Sequence, residues 1–342
     1  MTDDTRMAVP PTTKDLARAA GVSRATVDRV LNGREGVRPD TVDRVQRAAS
    51  EMGFTRNLAA ANLAKRRAYR FLFVLPQTGD LFLETLTDCI REAEAAFHGD
   101  RISVAMQRVD ANDPHALAAR LDALDTAAWD GVAVMAPRSP QLRDAVRRAA
   151  DRGLAMLPFL SDLPAAGAPA LVGIDNRAAG ATAGLLMGRF IGQRPGTVAV
   201  LAETMTAQDS LDRRHGFDRL MAERFPHLRA LPSLESYGAP DRIARILAAT
   251  LDHHDDIRGL YVLASEARLP LEALARHRLP PGTVVIVHER TAATTAALAD
   301  GRADAIITQD PGHLARSALR RMKAHCDGAE ILPSQERIRT EI

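Results

Sequence analysis

Short apolar runs alternate with amphipathic segments along most of the chain. Runs divided by helical patterns predict βαβ units and parallel sheets, because a strand covered by helices is buried on both faces. The first series predicts one sheet: FLFVL (71–75), ISVAM (102–106), GVAVM (131–135), LAMLPF (154–159) and LVGI (171–174). The second predicts another: TVAVL (197–201), GLYVL (259–263), TVVIV (283–287) and AIIT (305–308). Two similar α/β lobes are therefore expected after residue 69.

The first fifty residues show helical spacing instead. Apolar positions predict helices over 12–20, 24–32 and 39–53. Ser23 is a good N-cap for the second helix, and Gly21 suits the tight turn that precedes it. We therefore expect an all-α head in front of the α/β core, with a disordered tail over residues 1–11.

The second predicted helix has two different faces. Its apolar residues point one way, and the other face carries Arg24, Ala25, Asp28 and Arg29. The DNA major groove admits one helix, and arginine can bond guanine with two hydrogen bonds. Ser23 can bond a phosphate at the helix start. An exposed basic face also occurs in helical bundles without a DNA partner, but the order of elements here favours DNA.

The charge distribution supports this interpretation. The net charge is only +2, but residues 1–68 hold 13 basic and 8 acidic side chains, which makes this part +5 and the rest −3. A basic head on a slightly acidic body predicts a polyanionic partner for the head alone.

Several classes of protein are disfavoured. No apolar run approaches the roughly 18 residues that span a bilayer, and MTDDTRMAVPPTT does not resemble a signal peptide, so we expect a cytoplasmic protein without membrane contact. Cys89 and Cys326 are far apart and are expected to be reduced thiols. DHHDD (252–256) is more typical of a solvated loop than of a metal site. Nucleotide-loop and hydrolase motifs are absent, so no cofactor, metal or catalysis is expected.

Three glycines, Gly180, Gly184 and Gly188, step by four along a predicted helix. This spacing predicts close packing of the helix on a sheet.

The run TTKDLARAAGVSRATVDRVLNGREGVRPDTVDRVQRAASEMGF, which starts at Thr12, resembles the head of the LacI family of bacterial regulators. The resemblance implies a helix-turn-helix domain over 12–53 in which Arg24, Ala25 and Arg29 read bases. The further DNA-contact candidates are Thr13, Ser23, Thr26, Asn32, Arg38, Thr41 and Asn57.

Residues 54–68 form a hinge or linker with several basic side chains. A plain flexible linker is one interpretation, because so short an alanine-rich segment is a marginal helix. The LacI resemblance implies a hinge helix that folds on operator DNA, pairs with its dimer mate and wedges Leu63 into the minor groove, with Ala60 one turn earlier. Arg56 stands where the family has proline, which weakens the helix start.

Ligands bind parallel sheets at the carboxyl ends of the strands, so polar residues that follow the apolar runs are candidates. The core also resembles the periplasmic binding protein-like type I fold, through GIDNRAAG (173–180), RRHGF (213–217), VHERT (287–291) and TQDP (308–311). TGDLF (78–82) replaces the family's usual aromatic loop. Strand ends and resemblance together give the effector-binding candidates Phe82, Arg138, Asp162, Arg213, Ser265, Glu289 and Gln309.

The expected N-lobe is about 69–175 with 310–328, and the expected C-lobe is about 176–309 with 329–342. The resemblance implies a transcriptional regulator, most consistent with a repressor, that binds double-stranded operator DNA and a sugar or polyol effector. A homodimer is favoured over a tethered tetramer, because no leucine heptads that could join two dimers extend to Ile342. Three alternatives remain open: an activator, a solute-binding protein of the same core fold, and an α/β enzyme acting on a sugar.

Overall fold

The computed structural model describes residues 11–31, 35–54, 67–77, 80–110, 113–161, 171–277, 279–329 and 338–342. The chain forms two compact units, Met1–Arg66 and Arg67–Ile342. No helix in these ranges is both long enough and apolar enough to cross a membrane.

The head contains three short helices around a small core. They are α1 (Thr13–Ala19), α2 (Arg24–Leu31) and α3 (Pro39–Glu51). Thr12 and Asp15 form a capping box at α1, and a proline occupies the first turn of α3. Leu16, Val27 and Val45 are fully buried between the helices. The helices predicted from spacing are thus confirmed to within two residues.

The first sheet of the core is parallel and has four strands in the order β2-β1-β3-β4. Its strands are β1 (Tyr69–Pro76), β2 (Ile102–Val109), β3 (Gly131–Val134) and β4 (Ala155–Pro158). The helices between them are α4 (Leu81–Ala96), α5 (Pro114–Asp122) and α6 (Pro140–Asp151), with a 3₁₀ turn at His98–Asp100.

The second sheet is also parallel, in the order β6-β5-β7-β8-β9. Its strands are β5 (Gly196–Ala202), β6 (Leu228–Glu235), β7 (Ile257–Val262), β8 (Val284–His288) and β9 (Ala305–Ile307). The associated helices are α7 (Asn176–Ile191), α8 (Gln208–Arg224), α9 (Pro240–His253), α10 (Arg268–Leu274) and α11 (Ala292–Ala299). The last helix, α12 (Pro311–Asp327), packs on the first sheet against α4, β3 and β4. The predicted α/β core of two parallel sheets is therefore confirmed.

Two elements differ from the prediction. The LVGI run (171–174) is not a strand, since only Val172 forms a bridge, with Phe159. Conversely, β6 was missed because it is an edge strand in which only Leu228 and Leu231 are buried, so it has no continuous apolar run. Beyond β9, Thr308 and Glu341 form an antiparallel bridge. The proposed lobe boundaries stay a prediction.

The stepped glycines pack against a helix, which corrects the prediction of helix–sheet packing. A Cβ atom on Gly180 of α7 would overlap the backbone carbonyl of Arg213 on α8. In return, a Cβ on Gly216 of α8 would overlap the carbonyl of Arg177. Gly188 faces the ring of Phe225 just beyond α8. The two helix backbones therefore touch directly, and this contact sets where Arg213 lies.

We expect Gly180→Ala to destabilise the core by about 2 kcal/mol or more, because overpacked sites force backbone shifts. Urea unfolding followed by circular dichroism measures this loss. Gly99→Ala is the control, because a Cβ there meets nothing within 4 Å. Equal midpoints for the two variants would contradict the tight helix contact.

Candidate functional site

A polar cavity lies where the strands of both sheets end. About 330 Å³ of space between its atoms is free, a volume that includes open solvent at its mouth. Most of its lining residues directly follow a strand or begin a helix, which is where parallel sheets bind ligands. We call it the cleft, and its lining residues are Phe82, Met135, Leu160, Asn176, Asp209, Arg213, Ser265, Glu289 and Gln309.

Arg213 is the buried centre of the cleft, with only 3% of its surface exposed. Its Nε donates to Asn176 Oδ1 at 2.8 Å and its Nη1 to the Leu263 carbonyl at 3.0 Å. Its Nη2 donates to Glu289 Oε1 at 3.0 Å, which forms a buried ion pair. A buried charge is tolerated only when it is paired and hydrogen-bonded. These contacts meet that requirement and fix the guanidinium in place.

Glu289 is held in an unusual position at the end of β8. Its φ of 61° is left-handed, a conformation that costs a non-glycine residue about 1 to 2 kcal/mol. Its N–H donates to the Ile307 carbonyl at 2.9 Å, and its own carbonyl accepts from Thr294 Oγ1 at 2.8 Å. These bonds aim the carboxylate into the cleft.

The Glu289 carboxylate is only partly satisfied. Gln309 Nε2 donates to Oε1 at 2.9 Å, so this oxygen accepts from both Gln309 and Arg213. Within the part of the chain that the structure describes, Glu289 Oε2 and Gln309 Oε1 have no hydrogen-bond partner. Burial raises the pKa of Glu289 to about 7, although Arg213 and Gln309 act in the opposite direction.

Behind Glu289, a buried aromatic pair supports the strand ends. Tyr261 Oη lies 2.8 Å from His288 Nε2, and the Tyr261 ring stacks on Phe217 with 4.6 Å between centroids. Burial lowers the pKa of His288 well below its ordinary value, so the ring is neutral. This packing places no further charge beside the Arg213–Glu289 pair.

Asp80 connects the start of α4 to the segment after β7. It caps α4 by accepting from the Phe82 N–H at 2.7 Å, and Ser265 Oγ donates to its other oxygen at 2.6 Å.

An adjoining cavity is lined by Asp80, Glu203 and Glu266 among other residues. Burial and the nearby negative charges of Asp80, Asp209 and Glu266 raise the pKa of Glu203.

The structure brings five of the seven predicted effector residues together in the cleft. They are Phe82, Arg213, Ser265, Glu289 and Gln309. Arg138 is instead an exposed residue that donates to Gln208 Oε1 at 3.3 Å, outside the cleft lining. Asp162 lies outside the described residues.

Sequence reasoning did not single out three acidic or amide side chains as individual site residues. Asn176 opens α7 inside the GIDN motif, and Asp80 lies within the TGDLF segment that follows the first strand. Asp209 lies one helical turn before Arg213 on α8, so the i,i+4 spacing was the signal that could have found it.

No cluster of three or more potential metal ligands occurs in the ranges that the structure describes. The DHHDD segment spans the end of α9 and the turn before β7, where Asp256 Oδ2 accepts from Thr197 Oγ1 at 2.8 Å. This carboxylate therefore supports the strand.

The exposed face of α2 is the second candidate site. Arg24, Ala25 and Arg29 are solvent-exposed, while Val27 is fully buried on the opposite face. Ser23 Oγ accepts from the Thr26 N–H at 3.1 Å, so Ser23 caps this helix as predicted. The helix therefore presents its first turns and its arginines outward.

The remaining DNA-contact candidates occupy varied positions. Arg38 is exposed just before α3, while Thr13 and Thr41 are half-buried in the first turns of α1 and α3. Asn32, Asn57, Ala60 and Leu63 lie outside the described residues. Contact of any of these side chains with DNA stays a prediction.

The fold and the sites define a class of protein in which a helix-turn-helix head precedes a periplasmic binding protein-like core. Residues 12–57 match the model of the bacterial regulatory proteins of the lacI family, and residues 71–330 match the periplasmic binding protein domain. The chain therefore belongs to the family of the periplasmic binding protein domain, and its head is similar to the DNA-binding domain of the bacterial regulatory proteins of the lacI family.

Known relatives resemble the two parts separately. The HTH-type transcriptional regulator AscG of Escherichia coli is 41% identical over 83 residues, which cover 23% of this chain and 25% of AscG. CelR of Thermobifida fusca, also an HTH-type transcriptional regulator, is 41% identical over 75 residues, 22% of each protein. The chain thus spans about a quarter of the length of these curated relatives.

A solute-binding protein of an ABC transporter from Burkholderia graminis, solved in complex with D-arabinose, superposes with a TM-score of 0.69. It is 19% identical, and the match covers 80% of this chain and 95% of that one. Similarity at this level establishes the fold of the core.

Glu289 should make the core less stable as pH rises from about 4.5 to about 7. In this window the folded state retains a proton that the unfolded state has released, so the free energy of unfolding falls by up to about 1.4 kcal/mol per pH unit. Glu289→Gln cannot titrate. We expect the stability of this variant, relative to the unsubstituted protein, to improve as pH rises, measured by urea unfolding across the window.

Glu223→Gln is the matched control, because it neutralises an exposed carboxylate on α8 that pairs with Arg219. Its stability difference should stay nearly constant with pH. A constant difference for Glu289→Gln as well would contradict the assigned protonation of Glu289.

Proposed function

We propose that the protein is a ligand-controlled transcriptional repressor. The observation that carries this proposal is the presence, in one chain, of an exposed arginine-bearing helix in the head and a polar cleft with unused hydrogen-bonding atoms in the core. The helix suits the DNA major groove, and the cleft suits a small polyhydroxylated molecule such as a sugar or polyol. Neither site requires a catalytic group, so the proposed role is binding without turnover.

The DNA-binding step relies on the head. A homodimer would place two copies of α2 in successive major grooves of a pseudo-palindromic operator. Arg24, Ala25 and Arg29 would read base edges, while the Ser23 end of the helix would contact phosphate. Residues 54–68, with Leu63 as minor-groove wedge, would complete the contact.

The regulatory step relies on the core. The cleft receives side chains that follow strands of both sheets, so a ligand there contacts both halves of the core. Binding would change how the halves close on each other, and the hinge would pass this change to the head. Such couplings between two binding sites are typically about 1 to 3 kcal/mol and act in both directions.

A reporter assay and a DNA-binding assay distinguish two other functions from the proposed one. A transcriptional activator would bind the same DNA but raise transcription in a reporter assay. A solute-binding protein without a regulatory role would bind sugar and show no specific binding to fragments of the DNA upstream of its own gene. Specific binding that is weakened or strengthened by a sugar or polyol supports the proposed regulator.

Arg29→Ala should weaken operator binding by about 1 to 3 kcal/mol and relax preference at one base pair. Fluorescence anisotropy with single-base operator variants measures both effects. Arg47→Ala removes an exposed arginine from α3 and serves as control, with preference unchanged. Uniform weakening across all operator variants by Arg29→Ala would contradict base reading.

Gln309→Ala should weaken the effector's action on operator affinity by about tenfold or more, because it removes a buried ligand-facing amide and a bond to Glu289. Operator binding without effector should stay close to normal. A thermal-shift screen of sugars and polyols supplies the active compound, and anisotropy titration gives its potency. Gln193→Ala, at an exposed loop position, is the control. An unchanged effector potency would show that Gln309 does not contact the effector.

A further inference from the structure

Two oxygens of the cleft are buried acceptors without a partner among the described residues. Glu289 is 1% exposed and Gln309 is 3% exposed, and each has one oxygen without a partner among the described residues. The Gln309 amide is oriented by one Nε2–H, which donates to Glu289, and this orientation leaves its oxygen without a partner. The Ser265 hydroxyl donates its hydrogen to Asp80, so it can only accept a hydrogen bond from a ligand. A ligand that satisfies these oxygens must therefore bring donors into this space.

Acidic side chains outnumber basic side chains in and next to the cleft. Among the residues that the structure describes, Arg213 is the single basic one in the lining, and Glu289 already pairs with this guanidinium at 3.0 Å. Asp209 also lines the cleft, and no ion pair or hydrogen bond is found for its carboxylate within the described ranges. Asp80 is 7% exposed and bonded to Ser265 and the Phe82 amide, both of which are neutral. The cleft thus holds carboxylates in excess of its cation.

This imbalance extends beyond the cleft lining. Glu203 and Glu266 line the adjoining cavity together with Asp80, opposed there by Arg268. The Arg268 guanidinium lies 3.9 Å from Glu266 and 3.5 Å from Glu272, so two carboxylates already share its charge. A ligand in the cleft therefore enters a field of negative charge, and an anionic group would meet repulsion there.

We propose that the effector is a polyhydroxylated amine, whose ammonium group is recognised by Asp209 and by the free oxygen of Glu289, and that the cleft rejects anionic sugars. This inference rests on the proposed function and narrows its effector class. An ammonium supplies three donors and one positive charge, so it matches both the unused acceptors and the excess of carboxylates. Its hydroxyl groups supply the donor for Gln309. Hydrogen bonds between charged partners are about twice as strong as neutral ones, which favours the amine over a neutral analogue.

Matched sets of sugars test the charge preference. Each set contains a neutral sugar, its 2-amino derivative and its uronate, with glucose, galactose and mannose as parents. Calorimetry on the full chain gives the dissociation constants. We expect the best amine to bind about tenfold or more tightly than its neutral parent, as one additional charge-assisted bond would give, and the uronates not to bind.

Two variants separate charge recognition from a general structural role. Asp209→Asn keeps the shape and removes the charge, so it should lower the amine-to-neutral affinity ratio by about tenfold while changing neutral-sugar binding little. Glu223→Gln removes a charge elsewhere on α8 and should leave the ratio unchanged. A ratio that Asp209→Asn does not alter would overturn the role of Asp209.

The outcomes distinguish the effector class from the proposed function. A uronate that binds as tightly as the amine would overturn the charge preference, and the regulatory function would stand if that uronate altered operator affinity. An amine that binds tightly but leaves operator affinity unchanged at saturation would support the ligand class and contradict the regulatory function. An amine that both binds and shifts operator affinity supports the two proposals together.

Discussion

The buried pair between Arg213 and Glu289, which is ionic once Glu289 has released its proton, is the interaction on which the cleft depends. Removing two charges from water is costly, and one partner alone would leave an uncompensated charge. The pair is therefore accompanied by bonds from Arg213 to Asn176 and to the Leu263 carbonyl, and from Gln309 to Glu289. These five residues come from or next to α7, α8, β7, β8 and β9. One electrostatic requirement thus holds five chain segments at a common point, with two acceptor atoms left without a partner among the described residues.

Backbone packing makes this arrangement geometrically possible. Asn176 and Arg213 belong to different helices, and their side chains bond only because α7 and α8 cross with their backbones in contact. Gly180 and Gly216 allow that approach, since each lies against a carbonyl oxygen of the other helix. A larger residue at either position would separate the helices and lengthen the bond to Asn176. The polar site and the glycine contact are consequently one structural unit.

Much of this architecture could be predicted from the sequence, because it depends on local patterns. Continuous apolar runs predicted most strands of both sheets. The strand-end rule located Glu289 and Gln309 near one another, and the resemblance of the RRHGF motif added Arg213. The apolar-run pattern did not predict the edge strand β6, because partly exposed residues interrupt its apolar run. Asn176 was missed because its position in the cleft depends on how α7 and α8 cross, which spacing along one helix does not specify. Asp209 lies on the same helix as Arg213, so its spacing from Arg213 could have identified it. Arg138 follows a strand as the rule requires, but it is exposed and bonds Gln208.

For the proposed regulator, the contact between Asp80 and Ser265 limits how a ligand can act. A ligand shifts a conformational equilibrium only through a difference in its affinity for the two states. The Ser265 hydroxyl already joins the segment after β7 to the start of α4 through Asp80, without any ligand. A molecule that bonds only the Arg213 cluster contacts one sheet and stabilises both states alike. To exert control it must also engage the Phe82 and Asp80 side of the cleft, so the residues that select the ligand and those that transmit its effect lie on opposite sheets.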